Sequence, residues 1–434
     1  MKRRSMHRPA VVASENPVAH AATFGKSIPI VGNRPGEPGG AAPAVRWVGP
    51  VQRWISRGIA SAHLTEVQST CAGAMFRKPL KAELAVRSTR IGRLAGGDDS
   101  PVPGETMRKN LLPYHVVELR GLACILLVAY HVVGIPGAGM QVADGSIYRY
   151  ATDSFELIRM PLFTFISGLV YALNPARVER LTTFFLKKLR RLGFPFLVVS
   201  ALFYFLQTHA PGANGTLVPD SMWRIYVFPY AHFWYLQALF LIFSAVALLD
   251  AANLMDRPGR FALAMAIAVV ACLTVHLDSN ILSVNEACFL LPHFLLGVGV
   301  TRFRAMVPRT VLQGTAGTAL GLGIALHQAS LWGYLPHFGW NSGVALLCGM
   351  GGAVTLLHAM PSSRVFRTVG ASSYAIYLHH AMFAAGARVL LHRMDAGDGV
   401  IFCVALISGL VGPMVLEALA QLRPWTRVAL VGKA

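Results

Sequence analysis

Arg120 and His131 fall within one apolar run that extends from Val116 to His131, with ten residues between them. Eleven residues of α-helix make about three turns and advance about 16 Å, so the two side chains share nearly one helix face. Across a hydrocarbon layer of roughly 30 Å, the arginine falls near one membrane surface and the histidine about halfway in. Ionisable groups at such depth are costly and mark function by default. A guanidinium at the surface pairs with phosphate or carboxylate. A shielded neutral imidazole can take a proton from a hydroxyl and return it to a leaving group. For each residue taken alone a plain role has equal weight: Arg120 as a snorkelling anchor, His131 as a hydrogen bond between helices.

A second charged feature is the turn from Phe184 to Pro195, where Lys187, Lys188, Arg190 and Arg191 run straight into another apolar segment. Such a cluster is most often an anchor on the cytoplasmic side. Four cations at a membrane entrance can also grip a polyphosphate-bearing donor, because charged contacts to phosphate are strong where water is partly excluded.

The elements that must position these side chains are membrane helices. Of 434 residues, 54% are hydrophobic and 14% charged, and the mean hydropathy is +0.50. These are the proportions of an all-α polytopic membrane protein rather than a soluble domain. The net charge of +19 is dispersed in short clusters between apolar segments, not gathered on the single face that nucleic acid requires. Apolar runs punctuated by Gly, Pro and charge predict ten transmembrane helices, at 116–135, 156–174, 192–209, 231–250, 261–277, 287–301, 310–328, 342–360, 371–391 and 399–420.

Lys and Arg concentrate in alternate connections: Arg108 and Lys109, the 177–191 cluster, Arg257 and Arg260, Arg302 to Arg309, Arg364 and Arg367, and the chain end. Arg149, Arg159, Arg224, Arg388 and Arg393 mark the opposite side and its helix ends. That bias predicts cytoplasmic termini. Residues 1–110, rich in Ala, Gly, Pro and Arg and without a spanning run, read as a disordered extension. Met107 offers a start just before the first run, which would leave the extension untranslated. Residues 111–425 form the membrane domain, and 426–434 a short cytoplasmic tail. The scattered cysteines read as small hydrophobes, not as disulfides or metal ligands.

In these residues the chain resembles the acyltransferase-3 family of integral membrane acyltransferases. That family carries an arginine and a histidine ten residues apart in its first span, as do Leu119, Arg120 and Gly121 through to His131 here. Its Arg-x-x-Arg before the third span corresponds to Lys188 and Arg191, ahead of Pro195. The lysine keeps the charge and loses the bidentate fork. Weaker similarities are the run from Pro161 to Gly168, the run from His232 to Leu236, and the run from Ser373 to His380. Glu118 carries no role beyond pairing with Arg120.

The resemblance implies an O-acyltransferase of the bacterial inner membrane. It would move an acyl group, most often acetyl, from cytoplasmic acyl-CoA, a co-substrate with no bound cofactor or metal, to a hydroxyl of an envelope carbohydrate or glycolipid. Arg120, Lys188, Arg190 and Arg191 would hold the donor, and His131 would serve as the base. Ser167, Trp234, Tyr377 and His380 are supporting candidates. On physical grounds Ser167-Gly168 also reads as a close-packing site, and Trp234 as an interfacial aromatic. His379 and His380 cannot share one helix face, and the resemblance favours His380. His276, His293, His327 and His358 have no patterned partner. The competing function is a proton-coupled transporter or flippase for an anionic or glycolipid substrate. The lack of inverted repeats counts against it.

Overall fold

A computed structural model describes residues 116–135, 138–210 and 219–432. The expectations for residues 1–110, including the start at Met107, lie outside the described residues. Among the described residues every regular element is helical. The helices are α1 (Val116–Val133), α2 (Ile147–Asp153), α3 (Glu156–Ala172), α4 (Leu181–Lys188), α5 (Phe194–His209), α6 (Arg224–Val227), α7 (Trp234–Ala251) and α8 (Pro258–Thr274). There follow α9 (Val284–Arg302), α10 (Arg309–Leu331), α11 (Gly343–Ala359), α12 (Arg364–Ala371), α13 (Ser373–His392), α14 (Asp398–Ala420) and α15 (Pro424–Val431).

Each of the ten apolar runs coincides with a helix, at boundaries a few residues from those expected. Among the described residues, length and apolarity together qualify five segments to cross a membrane, namely α1, Val178–His209, α7, Ile281–Arg302 and α14. A sixth arises if α2 and α3, bent by 41° at their break, act as one span. Helices α8 and α11 are apolar but shorter. Helix α13 has 20 residues and pays in apolarity for carrying His379, His380 and Arg388. The molecule is a multi-pass membrane protein.

Helix α1 stops at Val133, earlier than its apolar run, because Gly134 takes a left-handed turn (φ 75°) and its N–H caps Tyr130 O at 2.7 Å. His131 therefore sits in the last turn of α1.

Lipid tails are as apolar as helix faces, so close backbone approach through small residues joins membrane helices. A Cβ on Gly168 of α3 would lie 2.0 Å from Phe294 O of α9, and one on Gly297 of α9 would lie 2.2 Å from Phe165 O. Gly121 of α1 faces Phe366 O of α12 in the same way, and Gly370 faces Val117 O. Beside the second crossing, Glu118 accepts from Arg367 at 2.7 Å.

Where α3, α7 and α9 meet, Arg302 grips Asp250 with two bonds of 2.8 and 2.9 Å. The Tyr171 hydroxyl donates to the same carboxylate at 2.8 Å. The segment expected as a tail forms α15, which buries Val431 and offers Leu430 O to His379 Nε2 at 2.9 Å.

Candidate active site

The bundle has a basic end and a histidine end. Arg120, in the first turns of α1, marks the basic end. The cationic turn joins it there through a proline. Pro195 has no N–H to give Arg191 O, and the Tyr374 hydroxyl of α13 donates to that carbonyl at 2.6 Å instead. Between Lys188 and Pro195 the chain is a π-helical turn, Leu189–Gly193, a local widening often found at functional sites.

Arg191 comes within electrostatic reach of both Arg120 and Lys188. Lys188 is half-buried, its Nζ lying 3.3 Å from the centre of the Phe243 ring, a desolvated cation–π contact. Three of the four expected donor-binding cations, Arg120, Lys188 and Arg191, are thus gathered at one place. Arg190 and Arg191 are both exposed on this turn, and it is Arg191 that acts on Arg120 and Lys188.

At the other end three imidazoles converge. The His131 ring centre lies 4.7 Å from that of His380 and 5.9 Å from that of His232, while His232 and His380 are 4.8 Å apart. His232 and His380 are buried, whereas His131 is partly exposed. A backbone carbonyl only accepts, so in a neutral imidazole the ring nitrogen that faces it carries the proton. His131 Nδ1 donates to Leu127 O at 2.9 Å, one turn back, so Nε2 carries the lone pair. His380 Nδ1 donates to Ile376 O and Tyr377 O, both at 2.9 Å, and its buried Nε2 has no partner. His232 donates from Nε2 to Leu378 O at 3.3 Å. His379 faces away toward α15, and His380 faces His131 and His232.

His232 is presented by strained backbone. It precedes α7 in a turn where Ala231, a non-glycine, takes φ 45°, a conformation that costs on the order of 1–2 kcal/mol. The Tyr377 hydroxyl donates to His232 O and fastens that turn to α13. Tyr377 thus supports the cluster from behind. Its ring packs on Tyr235 at 5.5 Å, and the Tyr235 hydroxyl meets Thr164 Oγ1 at 3.4 Å.

Ser167 bonds back to Phe163 O at 3.0 Å and sits beside that Tyr235 hydroxyl. Its neighbour Gly168 makes the close helix contact. Trp234 packs on Trp340 with ring centres 5.9 Å apart and does not join the histidines. Among the described residues no group of three or more His, Cys, Asp or Glu side chains has the geometry to hold a metal ion.

A single helix therefore carries a guanidinium near one end and an imidazole near the other. The family model described as an acyltransferase domain matches residues 118–418, from the turn before Arg120 to the end of α14. The chain belongs to the acyltransferase-3 family. It is an acyltransferase, and that membership overrides the transporter alternative. No curated protein and no solved structure gives a significant match.

Two features of this acyltransferase are not legible in its sequence. His232 belongs to a run similar to the family's fourth span and has no patterned partner of its own. Arg159, by charge bias a marker of the opposite side, is 3% exposed inside α3. The available signal was an arginine two residues before Pro161 in an apolar run, a position too deep for a loop.

Proposed function

We propose that this acyltransferase moves an acyl group, acetyl in the first instance, from cytoplasmic acyl-CoA to a hydroxyl of an envelope carbohydrate or glycolipid in a bacterial inner membrane. The observation that carries this reading is the placement of a lone-pair-bearing His131 Nε2 one helix length from the gathered cations Arg120, Lys188 and Arg191. The cations suit the phosphates of CoA. The extended pantetheine arm is long enough to bridge the roughly 16 Å that eleven helical residues advance.

The basic end is then the cytoplasmic end. The full reading is ten crossings, with α1, α3, α5, α7, α8, α9, α10, α11, α13 and α14 as spans and both termini cytoplasmic. The parallel course of α1 and α13 supports it, since the first and ninth of ten alternating spans run the same way.

In the reaction the acceptor oxygen attacks the thioester carbonyl carbon while His131 Nε2 takes the hydroxyl proton. The tetrahedral intermediate collapses, the carbon–sulfur bond breaks, and the imidazolium returns the proton to the departing CoA sulfur. The products are the ester and free CoA. His380 and His232 orient His131 and shield it from bulk water, which slows hydrolysis of the thioester.

The test is transfer of label from radiolabelled acetyl-CoA into envelope glycans by membranes containing the protein. Label that depends on the protein and on His131 supports the reading. Release of CoA with label in lipid or protein alone would assign a different acceptor class, and no protein-dependent label across several acyl-CoA donors would overturn it.

A further inference from the structure

Arg159 is a buried cation that the acyl-transfer chemistry above leaves unused. Its guanidinium lies over the Tyr130 ring, with Cζ 3.6 Å from the ring centre. Tyr130 is the chain neighbour of His131, and their ring centres are 5.1 Å apart. Arg159 and His131 are within electrostatic reach of each other. Arg159 Nε and Nη1 are buried without a hydrogen-bond partner, while the guanidinium is also within side-chain hydrogen-bonding reach of the Tyr130 hydroxyl.

Asp153 and Glu156 are the nearby acidic groups, but Glu156 Oε1 is taken by Trp340 Nε1 at 2.8 Å. Among the described residues none of the salt bridges includes Arg159. A second buried arginine, Arg388, follows His380 by two turns on α13.

A cation taken out of water without a partner is strongly destabilising, and a ligand that brings the missing anion offsets that cost on binding. The transient oxyanion of acyl transfer exists only during turnover, and neutral N–H dipoles are enough to stabilise it. A permanent anion in the bound substrate fits the observations better.

We propose that Arg159 binds an anionic group of the acceptor, a carboxylate or a phosphate close to the hydroxyl that receives the acyl group. The acceptor is then an acidic sugar or a sugar phosphate rather than a neutral glycan. This rests on the acyl-transfer reading of the histidine site.

The experiment has two arms, both on the full chain. In the first, the purified protein in lipid nanodiscs is melted with acetate or inorganic phosphate, against sodium chloride at equal ionic strength. One or both anions stabilise the unsubstituted protein. Arg159→Gln lowers that apparent affinity about tenfold, the scale of a lost charged hydrogen bond, while Arg159→Lys keeps part of it. The melting temperature without anion reports whether each variant is folded. Equal stabilisation of Arg159→Gln and the unsubstituted protein overturns the proposal.

In the second arm, labelled acetyl-CoA and an envelope extract are supplied, and products are separated by anion exchange. Label is expected in the retained fraction. Methyl esterification of the extract abolishes it for a carboxylate acceptor, and phosphatase treatment abolishes it for a phosphate acceptor. Arg159→Gln raises the acceptor KM about tenfold at unchanged kcat and acyl-CoA KM. Label in neutral glycans, or a fall in kcat at unchanged acceptor KM, overturns the proposal, the latter reassigning Arg159 to the oxyanion. A complete lack of transfer alongside a positive first arm overturns the acyl-acceptor reading and leaves an anion site of another kind.

Discussion

His131 and His380 are 249 residues apart, and their rings stand 4.7 Å from one another. The same separation of 249 relates Cys124 to Ser373, joined by a 3.7 Å contact, and Glu118 to Arg367, joined at 2.7 Å. A constant offset over three contacts means that α1 runs parallel to α12 and α13 in one register. The two histidines meet because Gly121 and Gly370 let the helices approach at the other end of that register.

Removal of the His131 lone pair without loss of its anchoring bond separates chemistry from structure. In His131→Asn the side-chain amide takes the place of Nδ1–H toward Leu127 O but supplies no base. Transfer activity should fall by about a hundred- to ten-thousand-fold, with melting temperature and membrane insertion unchanged. Retained activity in His131→Asn, measured as CoA release with acceptor present, would remove His131 from the base role.

The basic turn makes a graded prediction. Arg191→Gln should raise the acyl-CoA KM by about tenfold, the scale of one charged contact to phosphate, and leave kcat unchanged. Lys188→Arg should be tolerated, since a guanidinium also stacks on Phe243, whereas Lys188→Met should behave like Arg191→Gln. Arg190→Ala should be nearly silent, since it is Arg191 that acts on Arg120 and Lys188. Equal effects at positions 190 and 191 in steady-state kinetics would show that charge alone matters there, not placement.

The α3–α9 crossing depends on missing methyl groups. Gly168→Ala would drive a Cβ to within 2.0 Å of Phe294 O, and the backbone cannot yield cheaply. A destabilisation of about 1–3 kcal/mol is expected from such overpacking. Gly314→Ala, with nothing within 4 Å of the new atom, is the matched control. Thermal unfolding in one detergent should rank the two far apart, and similar melting temperatures would dismiss the contact.

The Asp250–Arg302 clamp is buried enough that one partner cannot be removed alone without penalty. Asp250 is 7% exposed and Arg302 18%. Arg302→Ala leaves a buried carboxylate with only the Tyr171 hydroxyl and should cost about 3–5 kcal/mol. The double change Arg302→Met with Asp250→Asn should recover part of that loss, as read by denaturation midpoints. No recovery would mean that Arg302 acts mainly through its bond to Met255 O.

Local pattern carried the ten helical runs, the Arg120 to His131 spacing and the basic turn before Pro195. Each is written within a few turns of one chain segment, and helical periodicity converts it directly into a shared face or an end. The choice between His379 and His380 was half legible, since 100° of helix separates them whatever packs around.

Only the tertiary structure placed His232 beside His131, set the buried Arg159 guanidinium over Tyr130, and gave Arg191 O to Tyr374. These contacts join segments far apart in sequence, and hydropathy is blind to them because lipid and helix interiors are equally apolar. Which face of a membrane helix turns inward is decided by glycine contacts and polar partners on other helices. The site therefore exists only once α1, α3, α7 and α13 have found one another.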